Sequence, residues 1–308
     1  MAESKFFIFP DGDGKRAPAR HEFVALLLAF SQQDFAARDR LFAEIDFLKT
    51  AQSGETLLMV AAELSERACV EEILPFFDAT ARDGKGCTPL IRAVKGQRLD
   101  TAKALLERSN ASEQDLDGWN ALMHAIAASD REFGLDCVRL LLPRTDLAAI
   151  AEGGDNAFLL AARIGTRDIL DALLPHFDAR ERRHASDDNL TPLMIAAAEG
   201  NAWGVEALLP LSDPNAQDFD GWNALMFSLG DTPEEFECGR MLIPVTDLSA
   251  RTLRGKDIFD LGKEGDLEQV VGRLVAEREQ MELKVAASAA SLADDAAPRA
   301  AKRAATRL

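Results

Sequence analysis

A short motif returns six times along this chain of 308 residues at intervals of 32 to 36 residues, and that period constrains the fold more than any other feature. The anchors are Thr56-Leu57-Leu58, Thr88-Pro89-Leu90, Asn120-Ala121-Leu122, Asn156-Ala157-Phe158, Thr191-Pro192-Leu193 and Asn223-Ala224-Leu225. A degenerate seventh copy, Asp257-Ile258-Phe259, follows the sixth after 34 residues. Self-similarity at this period marks a stacked repeat protein, in which each unit is too small to fold alone and buries its apolar surface against its neighbours. Thr or Asn before an apolar run reads as a helix N-cap. Small Ala residues at Ala61, Ala93, Ala161 and Ala196 let a first helix approach its neighbours closely. Paired apolar residues at Ile73-Leu74, Leu105-Leu106, Leu141-Leu142, Leu173-Leu174 and Leu208-Leu209 close the second helices. Pro75, Pro143, Pro175, Pro210 and Pro244 are expected to cut those helices short. Asp78, Asn110, Asp146, Asp178, Asp213 and Asp247 recur in the loops that follow, where a short side-chain oxygen shapes a turn by bonding its own backbone.

The fifth copy shows the whole unit: Thr191-Pro192-Leu193-Met194-Ile195-Ala196-Ala197-Ala198-Glu199-Gly200-Asn201, then Val205, Leu208-Leu209 and Asp213-Pro214-Asn215-Ala216-Gln217-Asp218. This resembles the ankyrin repeat, over about residues 54 to 275. The resemblance implies an all-α ankyrin-repeat solenoid with about six clear repeats plus helical caps. The chain departs from the family where a His usually follows T-P-L: Met59, Ile91, Met123, Leu159, Met194 and Met226 stand there, so apolar packing is expected to replace a polar link. A longer period overlies the first. Asp117-Gly118-Trp119-Asn120-Ala121-Leu122-Met123 recurs as Asp220-Gly221-Trp222-Asn223-Ala224-Leu225-Met226, 103 residues on, and duplication of a three-repeat block explains it. The third and sixth units carry extra residues between their helices, around Ser129-Asp130-Arg131 and Asp231-Thr232-Pro233.

The expected organisation is an N-terminal arm and helical capping unit over 1–50, a single solenoid with a C-terminal capping helix over 51–285, and an Ala-rich basic, flexible tail over 286–308. Glu22 to Phe30 and Asp34 to Lys49 show helical apolar spacing, with Phe23, Leu26, Leu27, Phe30, Phe42, Ile45 and Leu48 among the residues for a capping hairpin. Phe6-Phe7-Ile8-Phe9-Pro10 reads as a short strand or docked arm, and the following Asp11-Gly12-Asp13-Gly14 lacks the later acidic ligands of a calcium loop. Leu267, Val270, Val271, Leu274, Val275, Met281 and Val285 continue as a cap helix, with self-association through it as the alternative. The last residues, Ala305-Thr306-Arg307-Leu308, fit a short C-terminal ligand pattern for a PDZ groove.

Composition narrows the function. A net charge of −17 disfavours nucleic acid and fits either a solvated acidic surface or steering toward a basic protein partner. Cys69, Cys87, Cys137 and Cys238 are scattered without ligand spacing and read as reduced core thiols. The N-terminal residues lack a basic leader with an apolar core, and no apolar run is long enough to span a bilayer, so a cytoplasmic protein with no membrane partner is expected. His21, His124, His176 and His184 share no catalytic motif, no phosphate-cradling loop occurs, and neither metal nor cofactor is called for.

The resemblance implies a recognition surface on the concave side, at the residue between the turn Gly and the anchor. Those positions carry Glu55, Cys87, Trp119, Asp155, Leu190, Trp222 and Lys256. Trp119 and Trp222 stand out, either as binding anchors or as indoles packed over a neighbouring hairpin. Trp203, at the start of a second helix, is expected to serve stability instead. The reading is a non-catalytic protein–protein interaction scaffold. A secreted or regulatory effector module that sequesters a cellular protein is the alternative, and a cryptic enzyme would need convergent His, Asp or Glu side chains in a pocket.

Overall fold

Every anchor residue caps a helix. Thr56 and Thr88 accept from the amides of Met59 and Ile91 at 3.3 Å, Asn120 and Asn223 from Met123 and Met226 at 3.0 Å, and Asn156, Thr191 and Asp257 from Leu159, Met194 and Asp260 at 2.8, 3.2 and 3.0 Å. These bonds satisfy an amide that the helix itself leaves unpaired. The methionines in place of His do more than pack. The amides of Thr56 and Thr191 point at the sulfurs of Met59 and Met194, at 3.5 and 3.4 Å, so a weak thioether acceptor closes a reciprocal cap.

The computed structural model describes residues 7, 9, 14–176 and 189–305, from 288 onward by the backbone alone. Its regular elements are all helices, and the chain divides into two compact units, Met1–Asp178 and Ala179–Leu308. The first unit contains α1 (Arg20–Ser31), α2 (Phe35–Glu44), α3 (Leu57–Leu64), α4 (Arg67–Ile73), α5 (Pro89–Lys95), α6 (Leu99–Leu106), α7 (Ala121–Ile126), α8 (Arg131–Leu141), α9 (Ala157–Ile164) and α10 (Arg167–Leu173). Helices α1, α3, α5, α7 and α9 pack side by side as one layer, and α4, α6, α8 and α10 form the second. Ala61, Ala93 and Ala161 are fully buried in the first layer. Such small side chains allow this close approach.

In the second unit, α11 (Pro192–Ala198), α13 (Ala224–Phe227) and α15 (Ile258–Glu264) form one layer, and α12 (Ala202–Leu208), α14 (Pro233–Leu242) and α16 (Glu268–Ala305) form the other. Prolines end the second helices as expected: 3₁₀ turns at Leu74–Phe76, Leu142–Arg144, Leu174–His176 and Leu209–Leu211 each hold one in the middle. Val271 and Leu274 bury α16 against the last repeat, and Arg278 donates to the carbonyls of Ile243 and Thr246 at 3.2 Å. Val285, expected in the same apolar stripe, is exposed.

The N-terminal hairpin differs from expectation at its end. Helix α2 stops at Glu44, because Ile45 turns into extended backbone and pairs with Arg16 as an isolated parallel bridge. Phe42, Ile45 and Phe47 are buried, whereas Leu48 is exposed. Phe7 and Phe9 belong to a docked arm. Phe7 stacks on Phe30 at 5.2 Å and donates its amide to Glu72, while Phe9 meets Phe42, Phe76 and Phe77 at 5.7, 5.0 and 5.8 Å. The arm thereby reaches past the capping helices to the end of α4. All four cysteines are buried, and burial pushes the thiols of Cys69, Cys137 and Cys238 up to about 12. They stay protonated at neutral pH and inert as nucleophiles. Residues 177–188 and 306–308, which include His184, Asp178 and most of the C-terminal ligand pattern, lie outside the described residues, as do Asp11 to Asp13.

Candidate functional site

One carboxylate builds the hairpin ahead of each of α5, α7 and α13. Asp83 accepts from the amides of Lys85 and Cys87, Asp115 from Asp117 and Trp119, and Asp218 from Asp220 and Trp222, at 2.7 to 3.1 Å. In the closing repeat, Thr252 takes this role for Lys256. The turn glycine then adopts positive φ, +82° at Gly221, and a Cβ there would stand 2.9 Å from the next hairpin's backbone. Only glycine fits without strain.

Neighbouring hairpins are joined by backbone. The amide of Gly84 donates to Ser53, Leu116 to Lys85 and Glu152 to Asp117 in the first unit, and Leu253 donates to Asp220 in the second, at 2.7 to 3.0 Å. Gln114 and Gln217, again 103 residues apart, each reach the carbonyl of the following hairpin at 3.0 Å, at Ile150 and Arg251. The long sequence period therefore copies a structural clamp.

This geometry decides what the seven expected recognition residues can do. Glu55 and Cys87 are interior, which corrects their expected place on a binding surface. Glu55 pairs with Arg20 and, at 3.1 Å, with Arg92. The same two arginines bind Glu63 at 3.0 and 2.8 Å, and Arg92 also pairs with Asp83. Burial opposes ionisation of Glu63, yet the arginines hold its carboxyl below the usual range. Cys87 lies 4.0 Å from Asp115 Oδ2, the same oxygen that meets His124 at 2.8 Å. In that arrangement Cys87 and Asp115 are buried and only His124 keeps partial exposure, and burial pushes the Cys87 thiol up while it holds the His124 imidazole below its ordinary range. It is a core contact.

Trp119 is half-buried and packs over His124, with ring centres 5.2 Å apart. Asp155 pairs with Arg163 at 3.1 Å, and burial raises its pKa. The first unit thus satisfies most of its hairpin-side charges internally.

The second unit presents a different face. Leu190 is half-buried, Ile195 is buried, and Trp222 is half-buried beside Phe227 with ring centres 5.5 Å apart. Lys256 pairs with Glu264. Together with Leu261, Asp218, Asp220, Thr252 and Arg254, these residues from Trp222 onward line an open groove of about 360 Å³ between the last two hairpins. Two of the expected recognition residues, Trp222 and Lys256, meet there. Sequence reasoning missed the hairpin tips beside it: Phe219 is 68% exposed and Leu253 78%, as is Leu116 at 70% in the first unit. The available signal was an apolar residue directly after the turn-forming Asp or Thr, where a solvated turn has no use for one. Trp203, expected to serve stability, is 58% exposed.

No cluster of His, Cys, Asp and Glu that could hold a metal occurs among the described residues, and no helix among them is long and apolar enough to cross a membrane. The family model described as "Ankyrin repeats (3 copies)" matches overlapping segments, 19–115, 58–151, 100–181, 126–218 and 158–252. Among solved structures, the ankyrin repeat protein EF0377 is similar with a TM-score of 0.52 and 19% identity, over 59% of this chain and 96% of its own. The ankyrin repeat domain of Bcl-3, described as a unique member of the IkappaB family, gives a TM-score of 0.60 at 19% identity, over 71% and 99%. The human ASB11 ankyrin repeat domain gives 0.59 at 20%, over 72% and 98%. Identities this low speak to fold.

Proposed function

We propose that this chain, which belongs to the ankyrin-repeat family, binds a partner protein on the hairpin side of its second unit and acts as a non-catalytic scaffold. Ankyrin repeats are generally protein–protein interaction modules, and proteins of the family are generally not enzymes. The observation that carries the assignment to this face is the half-exposed Trp222–Phe227 pair in an open groove, flanked by the exposed tips Phe219 and Leu253. Apolar side chains grouped at solvent favour a partner that covers them, and tryptophan is prominent among residues that dominate interface energetics. Trp119 has a weaker claim, because its ring packs on His124, which is held by Asp115, and the next hairpin's Asp155 is paired with Arg163.

Capture of a partner with the intact chain, followed by affinity measurements on point variants, tests this reading. Trp222→Ala is expected to weaken binding by about 2 kcal/mol or more, with Trp119→Ala costing less. If Trp222→Ala keeps wild-type affinity and only lowers the melting temperature, the indole is a cover for its hairpin and the surface lies elsewhere.

A further inference from the structure

We propose that the groove beside Trp222 receives an arginine side chain of the partner protein. The inference rests on the placement of the binding face above, and the chemistry of the groove carries it. One wall is aromatic and aliphatic, from Trp222, Phe227 and Leu261. The hairpin wall carries Asp218 and Asp220, and neither forms an ion pair among the described residues. One Asp218 oxygen takes the amides of Asp220 and Trp222, and its second oxygen makes no hydrogen bond among the described residues. Of the two cations in the lining, Lys256 is engaged by Glu264, and Arg254 is an exposed residue of the following hairpin.

A purely apolar anchor would cover these carboxylates without supplying a counter-charge, which is unfavourable. A cationic side chain with an apolar stem suits both walls. A guanidinium does so better than an ammonium, since it stacks on an indole face and offers a carboxylate two parallel donors. The volume of about 360 Å³ lies at the small end for ligand pockets and leaves room for one long side chain. The chain's net charge of −17 favours the approach of such a basic segment.

The test uses the full chain with Trp119→Phe and Trp203→Phe, which leaves Trp222 as its sole tryptophan. Two capped peptides are titrated, Gly-Ser-Arg-Ser-Gly and the same sequence with citrulline, which keeps the shape and loses the charge. The Trp222 fluorescence and indole N–H resonance report binding. The arginine peptide is expected to give a saturable change, with the citrulline peptide at least about tenfold weaker. In Asp218→Asn/Asp220→Asn, where residue 218 retains an acceptor for the hairpin amides, the two peptides should become equal. Equal binding of both peptides to the parent chain, no change at Trp222, or an arginine preference that survives the double Asn variant overturns the proposal. A partner protein lost on Trp222→Ala but bound unchanged by the double Asn variant would keep the face and reject the arginine. Retention of the partner by Trp222→Ala, with the peptide preference intact, would reject the face as the partner site.

Discussion

At the scale of single residues, the hairpins ahead of α5, α7 and α13 are small closed circuits of one carboxylate, two amides and a glycine at positive φ, and Thr252 replaces the carboxylate ahead of α15; the glycine is the least replaceable member. Gly221 and Gly255 separate two effects. Both have positive φ, +82° and +76°, but a Cβ on Gly221 would press on Thr252 and Leu253, whereas one on Gly255 meets nothing within 4 Å. Gly255→Ala is expected to cost about 1–2 kcal/mol of stability from backbone strain alone. Gly221→Ala should cost about 1 kcal/mol or more beyond that, from overpacking. Denaturant melts of both variants check this, and equal losses would mean that contact between hairpins contributes little. The turn glycines were legible in the sequence, as were the loop residues Asp78, Asn110, Asp146, Asp213 and Asp247, each of which bonds an amide two residues on; the hairpin carboxylates Asp83, Asp115 and Asp218 were not singled out. The fate of Glu55 was not legible, because Arg20 lies 35 residues away and only stacking brings the two together. Nothing local distinguishes a hairpin residue already paired from one left open.

Among the elements, the helices were legible almost to their first residue, since the caps that fix those ends are also the repeat anchors. Faces were less so. Trp203 lies on α12 as expected, but Val205 and Leu208 fill the buried side, and Trp203 sits about 200° around the helix from Val205. The end of α2 escaped prediction for a similar reason: Ile45 and Phe47 bury their side chains equally well from extended backbone, so apolar spacing alone could not locate the break. The first-layer alanines give the sharpest test at this scale. Ala196 is fully buried, and the Cβ position of Gly204 in α12 lies 3.0 Å from its methyl group. Ala196→Leu should destabilise by ~1–3 kcal/mol, because neither helix has space to yield. An unchanged unfolding midpoint would show that the layer is looser than its burial implies.

For the whole molecule, charge sets the approach and the repeats set what survives change. A chain of net charge −17 should associate with a basic partner faster at low ionic strength, and its on-rate should fall as salt is added. Stopped-flow measurements over a salt series test this; a flat on-rate would leave the acidic surface with solubility as its only role. The last hairpin of the second unit is held to the one before it by the Leu253 amide. In the first unit, consecutive hairpins use one matching rule, a tip amide given to the preceding carbonyl. A segment excised at equivalent points in two hairpins therefore carries a donor at one seam and an acceptor at the other, whatever side chains it holds. Recombination can copy such a segment and find both cut edges already compatible, so in descent the number of repeats is easier to alter than the interior of any one of them.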